Sequence, residues 1–167
     1  HHPMTKLPNP TIDAIYQSYI NQNDPRWSNR LGASIIGQEC RRRLWYGFRW
    51  AGRENFSGQT LRLFCTGQIE EARVIKDLRD AGCTVYDKDD EGKQFEFSSG
   101  HVVAKVDGVV EGLLESPKTP HLLEVKSAND RNFKKIAKDG CKKAKPEHYA
   151  QCQIGMGLAE LTRAVYV

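Results

Sequence analysis

Hydrophobic residues in the first half of the chain recur every three to four positions, which is the spacing of amphipathic helices. A first helix is predicted to begin at Pro10, with Asn9 as its N-cap, and to end before Asp24-Pro25. Ser34 is expected to cap a second helix, whose apolar stripe would contain Ile36, Cys40, Leu44 and Phe48. The chain therefore opens with helices.

A third and longer helix is predicted over about residues 60–81, with Gly82 beyond its end as a C-cap. Its inner face is expected to comprise Leu61, Phe64, Cys65, Ile69, Ala72, Ile75 and Leu78. The pattern then changes to short apolar runs between turn residues, at 83–87, 94–98, 101–111 (interrupted near Asp107-Gly108) and 121–127.

The last part of the chain returns to helices. A basic helix is predicted over 130–138, a further helix from Pro146 to about 158, and a final strand over 162–167. Helices, then strands, then helix and strand predict one α/β domain with a mixed sheet.

The length of 167 residues suits one domain with a buried core. His1-His2-Pro3 before Met4 resembles the remnant of an expression tag, so 4–167 is taken as the domain. Because the apolar pattern is still running at Val167, the natural protein is expected to continue. No apolar run reaches membrane-spanning length and no signal peptide is visible, so a cytoplasmic protein is expected.

The cysteines exclude two kinds of site. The five cysteines include no Cys-x-x-Cys pair, which argues against a zinc ribbon and a disulfide framework.

The charge distribution indicates the kind of substrate. The net charge of +4 is concentrated in Arg41-Arg42-Arg43 and in 131–145, where seven basic side chains are opposed only by Asp139. A lysine run is usually a solvated face, but two basic clusters beside an acidic site favour a polyanionic substrate. Lys134 and Lys135, with Arg41 and Arg42, are therefore predicted to contact the phosphates of such a substrate.

The candidate chemistry lies at Asp107 and, seventeen residues later, Glu124-Val125-Lys126. Residues i and i+2 of a strand share a face, so Glu124 and Lys126 are predicted to point the same way, with Val125 directed into the core. A Glu-x-Lys tripeptide alone is usually a solvated edge. Two carboxylates and a lysine together could instead hold a hard divalent cation and a water beside a phosphodiester.

These residues, with a glutamate on the preceding long helix, resemble the PD-(D/E)XK nuclease superfamily, although Val106 precedes Asp107 where proline is often found. Within it the chain most resembles the phage lambda exonuclease-like recombination nucleases. That likeness is carried by three segments, 27–34, 67–73 and 150–156. The stretch 37–50, with its run 40–46, also resembles RecB-type nucleases, some of which hold an iron–sulfur cluster through one early and three late cysteines. The late triplet is missing here, which favours Cys40 as a packing residue.

The resemblance implies a restriction-endonuclease-like core of helix, three strands, helix and strand. It implies that Asp107, Glu124 and the Val125 carbonyl bind Mg²⁺ or Mn²⁺, and that Lys126 orients or deprotonates water. Glu71 would complete the metal shell, with Glu70 as its rival. Gln151 would hold Lys126 or a phosphate, and Arg30 with Ser34 would receive a terminal phosphate. Glu111, which shares strand parity with Asp107, is a weaker candidate ligand.

The implied function is an exonuclease that degrades one strand of linear duplex DNA from its ends, 5′ to 3′, in phage-type recombination. A single-strand annealing protein would be its partner, and a ring-shaped homo-oligomer its assembly. Three alternatives stay open: a RecB-type nuclease without its cluster, a catalytically inactive DNA-binding module, and a small-molecule metallohydrolase. The intact Asp107, Glu124 and Lys126 disfavour the inactive module, and the basic flanks disfavour the metallohydrolase.

Overall fold

The computed structural model describes residues 9–24, 30–49 and 55–167. Its first part contains α1 (Pro10–Gln22), β1 (Leu31–Gly32), α2 (Ala33–Ile36), α3 (Arg41–Phe48) and α4 (Gly58–Asp80). The part of the predicted family segment at 27–29 lies outside the described residues. None of the helices described is both long and apolar enough to cross a membrane.

The second part carries most of the strands. They are β2 (Thr84–Tyr86), β3 (Glu96–Ser99), β4 (Val102–Lys105), β5 (Gly108–Glu111) and β6 (His121–Glu124). Three helices and a last strand follow: α5 (Asp130–Asp139), α6 (Cys141–Ala144), α7 (Pro146–Ala159) and β7 (Ala164–Tyr166). The α/β class is therefore confirmed, and most predicted elements lie within one or two residues of their observed bounds.

The strands form two mixed sheets, where the sequence predicts one. The four-stranded sheet has the order β2-β5-β6-β7, antiparallel except for the parallel pair β6–β7. The three-stranded sheet has the order β1-β4-β3, with β1 parallel to β4 and β3 antiparallel to it. The two sheets arise because the predicted strand over 101–111 breaks at Val106-Asp107, so that β4 joins one sheet and β5 the other.

The core lies on both faces of β6. Leu122 and Leu123 are each fully buried, and successive residues of a strand point to opposite faces. Leu122 packs with partly buried residues of α7, whereas Leu123 packs with Ile75 and Leu78 of α4. The four-stranded sheet is thus covered by α7 on one face and α4 on the other.

The long helix α4 has well-defined ends. The Ser57 hydroxyl accepts a hydrogen bond from the Thr60 N–H at its N-terminus. Gly82, with φ of 93°, follows the C-cap, and its N–H and that of Cys83 bond back to carbonyls of the last turn. This is a Schellman motif, in which glycine avoids the cost of a left-handed backbone.

The predicted inner face of α4 is wrong in part. Phe64 and Ile69 are 49% and 64% exposed, because the N-terminal half of the helix packs on α1 and only the C-terminal half on β2. The stripe that enters the core passes through Ile75 and Leu78, and Glu71 lies on it one turn earlier.

The predicted second helix is two helices. Gly32 is the N-cap of α2, so Ser34 lies inside that helix and the prediction that Ser34 caps it is wrong. The break follows Gly37, which packs so closely on α7 that a Cβ there would lie 2.8 Å from the Glu147 Cα. Cys40, just before α3, is exposed, so its prediction as a packing residue is also wrong. All five cysteines are free thiols.

Candidate active site

Two carboxylates meet at one end of the four-stranded sheet. Gly108 of β5 lies opposite Leu123 of β6, so the next pair outward in this antiparallel register is Asp107 and Glu124. Side chains of directly opposite residues have Cβ atoms about 4.5–5.5 Å apart. The Asp107 carboxylate also accepts a hydrogen bond from the Val125 N–H, at 2.8 Å from Oδ2. The sheet and this bond fix both acids on the same face.

Two donors converge on Glu124. Its Oε1 atom lies 2.6 Å from Lys126 Nζ and accepts a hydrogen bond of 2.7 Å from Gln151 Nε2. The Glu124 side chain is 1% exposed, whereas that of Lys126 is 27% exposed. Lys126 is therefore partly exposed to solvent while its ammonium group contacts a buried carboxylate. The structure also confirms that Glu124 and Lys126 point in the same direction, as predicted.

Close helix packing brings Gln151 to this position. A Cβ at Gly155, one turn later on α7, would lie 2.9 Å from Leu122 Cδ2. Because glycine has no side chain, α7 can approach β6 closely enough for Gln151 to reach Glu124. Gln153, two residues on, is exposed and points elsewhere.

The two adjacent glutamates of α4 have different surroundings. Glu71 lies on the inner stripe, and its pKa is raised by burial and next by the negative charge of Asp107, against a lowering effect of Lys126. Glu70 instead forms an ion pair with Arg73, with 2.6 Å between Oε2 and Nη2. The structure thus brings Glu71, and not Glu70, under the influence of the two strand carboxylates.

Glu111 lies away from this cluster. It closes β5 opposite Thr84, at the other end of the strand from Asp107, and it is exposed. Four residues of extended chain separate the two acids, roughly 13 Å. The prediction that Glu111 could be a ligand is therefore wrong.

Burial makes the cluster electrostatically costly. It raises the pKa of Glu124 to about 7, with the Lys126 charge acting in the opposite direction and the Asp107 charge adding to the rise. It also raises the pKa of Asp107, against the Val125 N–H and Lys126, which lower it. Three acids with raised pKa values at one sheet end are a pattern typical of functional sites.

The donor set fits a hard cation. Asp107, Glu124 and Glu71 supply carboxylate oxygens, which Mg²⁺ and Mn²⁺ prefer. The Val125 carbonyl lies on the same strand edge as its N–H, which faces Asp107. Within the described residues no three His, Cys, Asp or Glu side chains are already arranged to hold a metal ion. Protein donors occupy Glu124 Oε1 and both Asp107 oxygens, since Gln94 Nε2 donates a hydrogen bond of 3.3 Å to Asp107 Oδ1.

The predicted phosphate contacts are distributed over several elements of the structure. Arg30 forms an ion pair with Glu96 of β3, and Ser34 is exposed within α2. Arg41 and Arg42 are exposed on α3. Lys134 and Lys135 are exposed on α5, where Lys134 Nζ lies 2.9 Å from an Asp130 oxygen. Their contacts with DNA stay a prediction.

Sequence reasoning missed a polar pair beside the cluster. His148 Nδ1 lies 2.7 Å from the Tyr166 hydroxyl, and Tyr166 lies beside Glu124 in the β6–β7 register. Burial and then the Lys126 charge lower the pKa of His148, while burial raises that of Tyr166 to about 12. The sequence could have indicated His148, because it precedes Gln151 by three helical positions and therefore lies on the same face of α7.

Comparisons with known proteins leave the family open. No protein-family model matches the chain, and no curated protein matches it. A solved structure titled "Crystal structure of SSO0001" is similar, with 14% sequence identity and a TM-score of 0.49, over 94% of this chain and 72% of that chain. A likeness this distant assigns neither a family nor an activity.

Proposed function

We propose that this chain is a metal-dependent deoxyribonuclease, an exonuclease that degrades one strand from the ends of linear duplex DNA. The observation that carries the proposal is the convergence of Asp107, Glu124, Glu71 and Lys126 at one end of a sheet. Buried acids that raise one another's pKa values are poorly suited to structural stabilisation alone. They are well suited to binding a divalent cation that also contacts a phosphodiester.

The order of elements supports the proposed restriction-endonuclease-like core. Helix α4 is followed by the antiparallel strands β2, β5 and β6, then by α7 and by β7 parallel to β6. This is the expected order of helix, three strands, helix and strand, with two additions: β3 and β4, which form most of the second sheet, and α5 and α6, which precede α7.

Each residue has a role that follows from its contacts. Asp107, Glu124 and the Val125 carbonyl would hold the cation, with Glu71 completing its shell directly or through water. When bound, the cation would lower the pKa of an attacking water and neutralise charge on the phosphate. Lys126, anchored on Glu124 yet reaching solvent, would orient that water or stabilise the developing negative charge.

Gln151 would act on the cluster as a positioning residue. Its amide donates to the same Glu124 oxygen that Lys126 contacts, so it fixes the glutamate rotamer while the ammonium stays in place. Partners of this kind typically tune a metal site by 10–100-fold, an approximate range.

The polyanionic substrate is supported by charge. The basic segments at 41–43 and 131–145 flank the cluster in sequence, and phosphates need countercharge. The preference for a 5′-phosphorylated end is the finer part of the proposal. It requires Arg30 to exchange Glu96 for a terminal phosphate, which an arginine fork can meet bidentately.

The test uses end-labelled linear duplex and a covalently closed circle, in Mg²⁺, Mn²⁺, Ca²⁺ or EDTA. Mg²⁺ or Mn²⁺ should support release of nucleotides from the linear DNA, and Ca²⁺ should support binding with little cleavage. EDTA should abolish cleavage, and the circle should survive. Cleavage that persists in EDTA would sink the assignment. A circle cut as fast as linear DNA would make the enzyme an endonuclease, and metal-independent binding without any cleavage would favour an inactive DNA-binding module.

A further inference from the structure

Helix α3 presents to solvent a continuous stripe of two aromatic side chains flanked by two cationic ones. Arg42, Trp45, Tyr46 and Arg49 follow one another at helical positions i, i+3, i+4 and i+7, so they share one face. Trp45 is 55% exposed and Tyr46 is 46% exposed. We call these four residues the α3 stripe.

The opposite face of α3 is the one that meets the protein. Leu44 and Phe48 are half-buried there, and the Phe48 ring contacts the His101 ring with centroids 5.4 Å apart. Helix α3 therefore already packs on the protein through this face, so a lack of packing partners for the helix does not explain why Trp45 and Tyr46 are exposed. Leaving rings of this size in water forgoes the free energy that their burial would contribute, which points to an occupant.

The rings of the α3 stripe are held in a defined arrangement. Trp45 and Tyr46 meet edge to face with centroids 5.3 Å apart. The Arg49 guanidinium lies 5.9 Å from the centre of the Trp45 ring. No acidic residue occurs between residues 40 and 49. The stripe thus combines flat π surfaces with positive charge that no acid on its own helix offsets.

We propose that the α3 stripe binds unpaired DNA, with bases stacked on Trp45 and Tyr46 and phosphates paired with Arg42 and Arg49. Aromatic platforms flanked by cations are how proteins bind single strands without reading sequence. A paired duplex hides its base faces and would meet only the arginines. The inference rests on the proposed function for its biological setting, since a nuclease that opens duplex ends holds a single strand.

The stripe is close enough to the carboxylates for one strand to occupy both. Phe48 contacts His101, and His101 is six residues before Asp107. Six residues of fully extended chain span at most about 21 Å. With about 10 Å added for the width of α3, a strand held on the stripe would lie within roughly 30 Å of the proposed cleavage site.

The test measures DNA affinity of the full chain carrying Asp107→Asn, in EDTA, so that cleavage plays no part. Fluorescence anisotropy is recorded with a labelled oligo-dT and with a blunt duplex over a range of salt concentrations. Trp45→Ala should weaken oligo-dT binding by about tenfold with an unchanged salt slope, because a stacked base and not a charge is removed. Trp45→Phe should restore most of the affinity, and duplex binding should change by less than about twofold.

Two variants provide matched comparisons. Arg42→Ala should lower the log–log salt slope for oligo-dT by about 0.7, as expected when one phosphate interaction with a single strand is removed. Leu63→Ala, which removes a still more exposed apolar side chain from α4, should change neither affinity nor slope. Oligo-dT should also quench tryptophan fluorescence in the parent chain and quench it less in Trp45→Phe.

Several results would overturn the inference. One is a Trp45→Ala chain that binds oligo-dT like its parent, and another is an equal loss of affinity for oligo-dT and duplex. A third is an unchanged DNA affinity with a changed oligomeric state in light scattering, which would make the stripe a protein interface. The proposed function fails separately, if the wild-type chain shows no metal-dependent cleavage while the Trp45 pattern persists.

Discussion

The charged cluster at the end of the four-stranded sheet includes a buried carboxylate, whereas the charged side chains on α5 are exposed to solvent. Glu124 is 1% exposed, is held by two donors and has a pKa raised to about 7. On α5, Lys134 and Asp130 form an ion pair whose side chains are 74% and 78% exposed. Exposed pairs of this kind contribute little to stability, whereas a buried charge depends on its partners. Single substitutions should therefore have large effects in the first region and small, additive effects in the second.

Asp107→Asn should produce the largest effect. It keeps the side-chain shape but removes a charge from the proposed metal site, and losing several kcal/mol of transition-state stabilisation slows cleavage by roughly 10³-fold. Initial rates on end-labelled duplex in Mg²⁺ would measure the decrease. Glu111→Gln is the matched control, because Glu111 is exposed at the other end of the same strand. Equal rates for the two variants would remove Asp107 from the site.

Gln151→Ala should have an intermediate effect. It removes the amide that holds Glu124, and the cleavage rate should fall by roughly 10–100-fold, as for other groups that orient ligands. Gln153→Ala, on the exposed side of the same helix, should cleave like wild type. Equal cleavage rates for Gln151→Ala and Gln153→Ala would contradict the positioning role of Gln151.

The thermal stability of the metal-free protein should depend on pH through Glu124. Its folded-state pKa is raised above the unfolded value, so its contribution to stability is present at low pH and is lost as the pH rises through about 7. Glu124→Gln cannot ionise and should gain in melting temperature over wild type between pH 5 and pH 8. A gain of a few degrees corresponds to about 1 kcal/mol in a domain of this size. An equal difference at both pH values would contradict a pKa of about 7 for Glu124.

Lys134→Ala with Lys135→Ala should produce the smallest effect per residue. Removing one lysine–phosphate interaction lowers the log–log salt slope for duplex DNA by about 0.9, and the cleavage rate at saturating DNA should stay unchanged. Lys134 already pairs with Asp130, so Lys135→Ala alone should account for most of the change. Anisotropy titrations at several salt concentrations would measure it, and an unchanged slope would mean an ordinary solvated face.

Local chemistry explains how much of this arrangement the sequence could predict. The parity of Glu124 and Lys126 follows from the strand period, and the end of α4 follows from Gly82. The interruption near Asp107-Gly108 was predicted, but the division into two sheets was not, because the strand with which each half pairs is set by contacts distant in sequence. The division between α2 and α3 was also missed, since it depends on contact between Gly37 and α7, which are distant in sequence. Long-range packing decided both.

The choice between Glu70 and Glu71 shows the same limit. Adjacent helical residues differ by about a quarter turn, so the phase of α4 on the sheet decides which one enters the site. The predicted apolar face included Phe64 and Ile69, which are exposed, so it fixed that phase only approximately, although it already placed Glu71 nearer the core than Glu70. The observed stripe through Ile75 places Glu71 inward.

The central claim is that Asp107, Glu124 and Glu71 form one divalent-cation site. It is tested most directly by Mn²⁺ titration calorimetry at pH 8 of wild type, Glu71→Gln and Glu70→Gln. The adjacent glutamates make a matched pair, because Glu70 is paired with Arg73. The wild-type protein and Glu70→Gln should bind Mn²⁺ alike, and Glu71→Gln should bind it roughly 10–100-fold more weakly. Wild type that binds no Mn²⁺ at millimolar concentration, or weakened binding confined to Glu70→Gln, would contradict the account.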